Sequence, residues 1–81
     1  MARLPASVDP RDIPAIRKKF ATNFRQARKA AGLTQTGVSE LAGFAQPYIS
    51  EVERGLSNIS LDSMDKLAKV VGKPLWALLK M

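Results

Sequence analysis

From position 13 onward the apolar residues recur in steps of three and four. Ile13, Ile16, Phe20, Phe24, Ala27 and Ala31 fall on one face of a helix, while Arg17, Lys18, Lys19, Arg25 and Lys29 fall mostly elsewhere. Pro14 suits the first turn of that helix, and Gly32 stops it. Thr34 is placed to cap a second, short helix that runs through Ala42 and ends at Gly43. A third begins near Gln46-Pro47, buries Ile49 and Val52, and closes at Gly55. Leu56-Ser57-Asn58-Ile59 reads as a loop. Ser60 caps a fourth helix whose stripe is Leu61, Met64, Leu67, Ala68 and Val71, with Gly72 at its end. Pro74 opens a last short helix carrying Leu75, Trp76, Leu78 and Leu79. No stretch alternates with a period of two, so no strand is predicted. The pattern predicts an all-α domain of five helices over residues 15–81. Ahead of it, Pro5, Pro10 and Pro14 break any helix and leave residues 1–14 as an arm, with a turn at Asp9-Pro10.

Composition removes several kinds of chemistry. The chain has 81 residues with no cysteine and no histidine. Disulfides, His/Cys zinc sites and histidine catalysis are therefore excluded. No glycine-rich phosphate loop and no recognisable pair of catalytic carboxylates is present, so neither an enzyme nor a cofactor is expected. No apolar run approaches the roughly 18–20 residues that span a bilayer. The N-terminus lacks the apolar stretch of a signal peptide, which makes a soluble, cytoplasmic protein with no membrane partner the expectation. So small a core is only marginally stable, and a shared apolar face would strengthen it.

The net charge is +6, which favours an anionic partner, nucleic acid being the commonest. Its distribution matters more. Residues 1–31 carry eight basic side chains against Asp9 and Asp12; residues 32–63 carry only Arg54 against Glu40, Glu51, Glu53 and Asp62. Residues 64–81 return to four lysines against Asp65. Positive charge thus sits at both ends, and the middle is acidic.

That middle holds the informative segment, Gln35 to Arg54. Two short helices meet at Gly43, where glycine lets the backbone take positive φ and turn sharply. Ser39 is small where the two helices approach, and Val38, Ala42, Phe44, Ile49 and Val52 fix both to the core. Gln46, Tyr48, Glu51 and Arg54 lie mainly on the remaining face of the second helix, the face suited to a DNA major groove. An RNA partner fits the charge, but the aromatic stacking pattern of sheet-based RNA readers is missing.

The chain resembles the phage-repressor or Xre-like helix-turn-helix regulators. The resemblance rests on Arg28, Gly32-Leu33-Thr34-Gln35, Gly43, Gln46-Pro47-Tyr48-Ile49-Ser50, Glu53-Arg54-Gly55, Leu61 and the run Leu67 to Leu75. It covers about residues 16–80. In size and in its basic ends the chain is also similar to the controller regulators of restriction–modification systems. The resemblance implies a double-stranded DNA partner and a role for each matched position. Gln35, at a helix N-terminus, would bond a phosphate. Gln46 would read a base edge, and Glu51 could accept from cytosine N4. Tyr48 would meet a thymine methyl or a phosphate, and Ser50, Ser57 and Asn58 would contact phosphates. Arg28 and Glu53 match an ion pair that fixes the angle of the recognition helix.

Two positions depart from the family pattern. Gly37 sits inside a helix, at a cost of about 0.5–1 kcal/mol against alanine. Pro47 stands where some relatives carry a polar base reader, which shifts readout toward Gln46, Tyr48 and Glu51.

Plainer alternatives stand beside these roles. Gln46 could be a solvated helix-start residue, Tyr48 a half-buried ring packed on the loop, Glu51 an exposed acid, and Arg3 and Arg11 part of a solvated tail rather than DNA contacts. Leu75, Trp76, Leu78 and Leu79 either cap the core or provide a self-association face, with Leu75 and Leu79 the better caps. A homodimer would present two recognition helices about 34 Å apart to an inverted-repeat operator. Repressor and activator are both open; activation would need a polymerase-facing surface, for which Glu40 is a candidate. The competing class is an antitoxin-type interaction module that binds a small protein and DNA only secondarily.

Overall fold

A computed structural model describes residues 14–80 of the chain. The arm expected over residues 1–14, with Arg3, Arg11 and the Asp9-Pro10 turn, lies outside the described residues apart from Pro14. Ile13 and Met81 lie outside them as well. Five helices follow in order: α1 (Ala15–Ala30), α2 (Gln35–Ala42), α3 (Gln46–Glu53), α4 (Leu61–Val70) and α5 (Leu75–Leu78). Among the described residues there is no strand.

The helix boundaries have local causes. Thr34 accepts a hydrogen bond from the Gly37 N–H, and Ser60 accepts one from the Ser63 N–H, so each satisfies a donor that its helix cannot. Pro14 and Pro74 stand one place earlier than expected. Each is the extended residue ahead of its helix, and the Pro14 carbonyl accepts the first bonds from Arg17 and Lys18. Pro47 sits in the first turn of α3, where its missing N–H costs nothing. Gly43, at φ 75°, ends α2, and the N–H groups of Gly43 and Phe44 both return to the Ser39 carbonyl. That tight bend turns the chain directly into α3.

Gly37 has a structural reason. Its N–H is the donor that Thr34 caps, and a Cβ at this position would stand 3.3 Å from the Thr34 hydroxyl oxygen. Alanine would gain helix propensity but press on the cap.

α1 packs on α3 and α5, α2 on α3 and α4, and α4 on α5. Phe20, Phe24, Val38, Ile49 and Leu67 are the largest fully buried side chains, and the Phe20 and Phe24 rings stack at 5.9 Å. Each such residue contributes about 1.5–3 kcal/mol by leaving water. The expected stripes are too long at their ends. Ile16 and Leu61 are exposed, as is Ala31, because each lies in the first turn or at the cap of its helix, beyond the reach of the neighbouring helices. Ala21 and Arg28 are buried instead, since α1 is covered on a broad face by two helices rather than one. Asn23 ties α1 to the C-terminal segment by donating to the carbonyls of Leu78 and Lys80 at 2.9 and 3.0 Å.

Candidate nucleic-acid interface

α3 has two sides. At about 100° per residue, Gln46, Pro47, Ser50, Glu51 and Arg54 share one continuous arc. All but Ser50, which is half-buried, are exposed. Ile49 and Val52 occupy the opposite arc and are lost in the core. The outward arc is polar and is not covered by any other helix among the described residues.

A chain of side-chain hydrogen bonds holds this helix. Arg28 of α1 grips Glu53, the last residue of α3, through Nε to Oε2 at 2.5 Å and Nη2 to Oε1 at 3.0 Å. The third nitrogen of the same guanidinium, Nη1, donates to the Leu33 carbonyl in the α1–α2 turn. Glu53 Oε1 also accepts from Gln35 Nε2 at 3.2 Å. Gln35 Oε1 in turn accepts from Gln46 Nε2 at 2.8 Å. The first residue of α2 therefore bridges the last and first residues of α3. The pair is buried, with the Arg28 side chain 11% and that of Glu53 3% exposed, and its parallel geometry satisfies both ions. One acid of the middle segment is thereby neutralised inside the fold.

The positions expected to contact a ligand separate into groups. Gln46, Pro47, Glu51 and Arg54 are on the outward arc, with Ser50 beside them. The Gln35 side chain is occupied by Gln46 and Glu53 and so lies sideways along the interface. The backbone N–H groups of Gln35 and Thr36 remain without a partner among the described residues. Tyr48 does not share the outward arc. Its ring is half-buried and meets the Phe44 ring edge-on at 5.2 Å, leaving it on the rim. The Lys66 ammonium of α4 stands 5.1 Å over that same Phe44 ring. Asn58 is exposed in the α3–α4 loop and lines a small cleft with Pro14, Ile16 and Met64, beside the start of α1; Ser57 is half-buried.

Arg25 is one of the basic residues scattered along the sequence of α1, with no motif to single it out. It lines one cleft of about 240 Å³ with Arg28, Gln35, Ser50, Glu53 and Arg54. Its signal was its position three residues before Arg28, which places both on the flank of α1 nearest α3.

In α5, Leu78 is 2% exposed and belongs to the core, whereas Trp76 is 68% exposed. The expected grouping of Leu75, Trp76, Leu78 and Leu79 is therefore corrected. Leu78 is the main cap, Leu75 and Leu79 pack partly against it, and Trp76 points away. In a four-residue helix lying on α1 and α4, only one position can face the core squarely.

No group of three or more metal-ligating acids, cysteines or histidines occurs among the described residues. No described helix is long and apolar enough to cross a membrane.

This geometry, two short helices joined by a glycine bend with one braced and outward, is that of a helix-turn-helix. The Helix-turn-helix family model matches residues 24–75, and the chain belongs to that family. Over 57 residues, 70% of the chain and 74% of the relative, it is 39% identical to the uncharacterized HTH-type transcriptional regulator y4dJ of Sinorhizobium fredii. Among solved structures it resembles the restriction-modification controller protein C.AhdI from Aeromonas hydrophila. The TM-score is 0.75 at 35% identity, covering 80% of this chain and 98% of that one. It also resembles SinR, a master regulator for biofilm formation solved in complex with DNA. There the TM-score is 0.70 at 31% identity, covering 75% of this chain and 98% of that one. The protein is a helix-turn-helix transcriptional regulator by family.

Proposed function

We propose that the protein binds double-stranded DNA sequence-specifically, as a homodimer on an inverted-repeat operator, with α3 in the major groove. The observation that carries this reading is the exposed polar arc of α3, braced at both ends by Arg28, Glu53, Gln35 and Gln46. A reader helix must be rigid as well as accessible, because a bidentate contact to a base tolerates little angular error. Gln46 and Glu51 are the base readers, and Tyr48 touches the groove edge. The free N–H groups at the start of α2, with Ser50, Ser57 and Asn58, hold phosphates. Pro47 supplies shape only, since it has no donor. The exposed Trp76 on α5 is the centre of the proposed self-association face. That SinR was solved with DNA supports the same mode of use.

Selection of bound sites from random duplex DNA tests the proposal. An inverted repeat with half-sites about one helical turn apart is the expected result. Repeating the selection with Gln46→Ala should relax preference at one or two base pairs per half-site. No enrichment from the wild-type protein would overturn the reading, and uniform weakening by Gln46→Ala would reduce Gln46 to a positioning residue.

A further inference from the structure

The acidic middle of the chain poses an electrostatic problem. A groove-binding helix must bring cations to two phosphate rails, yet residues 32–63 contain only Arg54. We infer that Arg25 of α1 supplies the missing charge, forming with Arg54 a phosphate seat along the flank of α3. This rests on the DNA-binding reading above and extends it to a residue outside the helix-turn-helix.

Three observations carry it. First, Arg25 and Arg54 are both exposed and line the same cleft, and Ser50 lines it too with a hydroxyl that can donate. Arg54 is the C-cap of α3, so the cleft opens directly beside the outward arc. Second, the acid in the cleft is already matched. Both oxygens of Glu53 are held by Arg28, which leaves the charge of Arg25 and Arg54 uncompensated. Neither arginine has a carboxylate within ion-pair distance among the described residues. Third, a second cleft of about 350 Å³ shares the Arg25 wall and is lined by Thr22, Gln26 and Lys29 of α1 and by Glu53, the acid that Arg28 already holds. The basic surface therefore continues along α1 rather than ending at a single side chain. Two guanidinium forks facing one cleft suit a phosphodiester, which offers two unesterified oxygens to planar donors. The contact carries no base information, so Arg25 is a positioning residue that sets how the duplex sits against α3.

The test is the salt dependence of binding, measured by fluorescence anisotropy on a random-sequence 30-base-pair duplex (an arbitrary probe of about three turns) and on the selected site. The full chain would be compared as wild type, Arg25→Gln, Arg25→Lys and Lys73→Gln. Lys73 is exposed in the α4–α5 turn, outside the cleft, and its loss lowers the net charge by the same amount. The slope of log K against log salt should become shallower by about 0.9 per subunit in Arg25→Gln on both duplexes. Arg25→Lys should retain most of the slope, Lys73→Gln should match wild type, and the base preference of Arg25→Gln should be unchanged. An unaltered slope in Arg25→Gln, or an equal change in Lys73→Gln, would overturn the inference while leaving the DNA-binding reading intact. Failure of the wild-type protein to bind either duplex would remove both.

Discussion

Arg28 and Glu53, 25 positions apart, face each other through two parallel hydrogen bonds and are nearly sealed from water. One belongs to α1 and the other ends α3, so this contact ties the end of α3 to α1. Burying two charges costs several kcal/mol per ion, and their attraction returns roughly that amount when the geometry is good. The net gain in stability is therefore small.

Removing one partner should be worse than removing both. Arg28→Met leaves Glu53 buried without its counter-ion and is expected to cost about 3–5 kcal/mol. The double variant Arg28→Met with Glu53→Leu should recover most of that loss, because an apolar pair needs no desolvation. Urea unfolding of the wild type, both single variants and the double variant measures this. A double variant as unstable as the worse single one would contradict it.

Gln35 should matter for recognition more than for stability. Its amide links Gln46 to Glu53 at a partly exposed place, so Gln35→Ala is expected to lower stability by no more than about 1 kcal/mol. Without that brace the Gln46 amide is free to rotate, and preference at the base pair it reads should weaken. In a double-mutant cycle on operator affinity, Gln35→Ala and Gln46→Ala should be non-additive by about 0.5 kcal/mol or more. Strict additivity would mean the bridge has no role in readout.

The bend between α2 and α3 should be sensitive to backbone chemistry alone. Gly43 is at φ 75° with no atom beyond its two chain neighbours within 4 Å of where a Cβ would stand, so Gly43→Ala meets no tertiary clash. The expected loss is about 1–2 kcal/mol, purely from placing a Cβ in the left-handed region. Gly43→Asn should lose less, since asparagine tolerates that conformation better. Thermal melts of the two variants give the ranking, and a harmless Gly43→Ala would contradict it. Thr34→Ala, which removes the cap of the same helix, should cost about 1 kcal/mol in the same assay.

Trp76 should separate folding from assembly. With 68% of its surface exposed, Trp76→Ser is expected to change monomer stability by no more than about 0.5 kcal/mol. If α5 is the self-association face, the dimer dissociation constant should rise about tenfold or more, a loss of at least ~1.4 kcal/mol. Sedimentation equilibrium at several concentrations reads both states. Self-association unchanged by Trp76→Ser would move the interface elsewhere.

Local signals located every helix. Thr34 and Ser60 cap as their side chains suggested, and Gly32, Gly43, Gly55 and Gly72 all take positive φ at the ends of helices. Such signals act within a few residues of sequence, so they survive in a linear reading. Core membership was legible in the middle of each stripe but not at its ends. Periodicity shows which side of a helix faces inward, but not how far its neighbours extend over it. Ile16 and Leu61 are exposed for that reason, and the same limit hides from the sequence that Leu78, rather than Leu75 or Leu79, is the main cap.

The residue types and spacing from Gln35 to Arg54 were enough to mark two short helices and the bend between them, because each depends on short intervals, and the family resemblance marked the Arg28–Glu53 pair. Only the packed structure decided how the polar groups divide the space. It turned the Gln35 amide toward Gln46 and Glu53, drew Tyr48 against Phe44, and set Arg25 of the first helix beside Arg54 of the third. Those relationships join residues far apart in the chain. They follow from the way α1 crosses α3, and that crossing is fixed by the filling of one shared core rather than by any local preference.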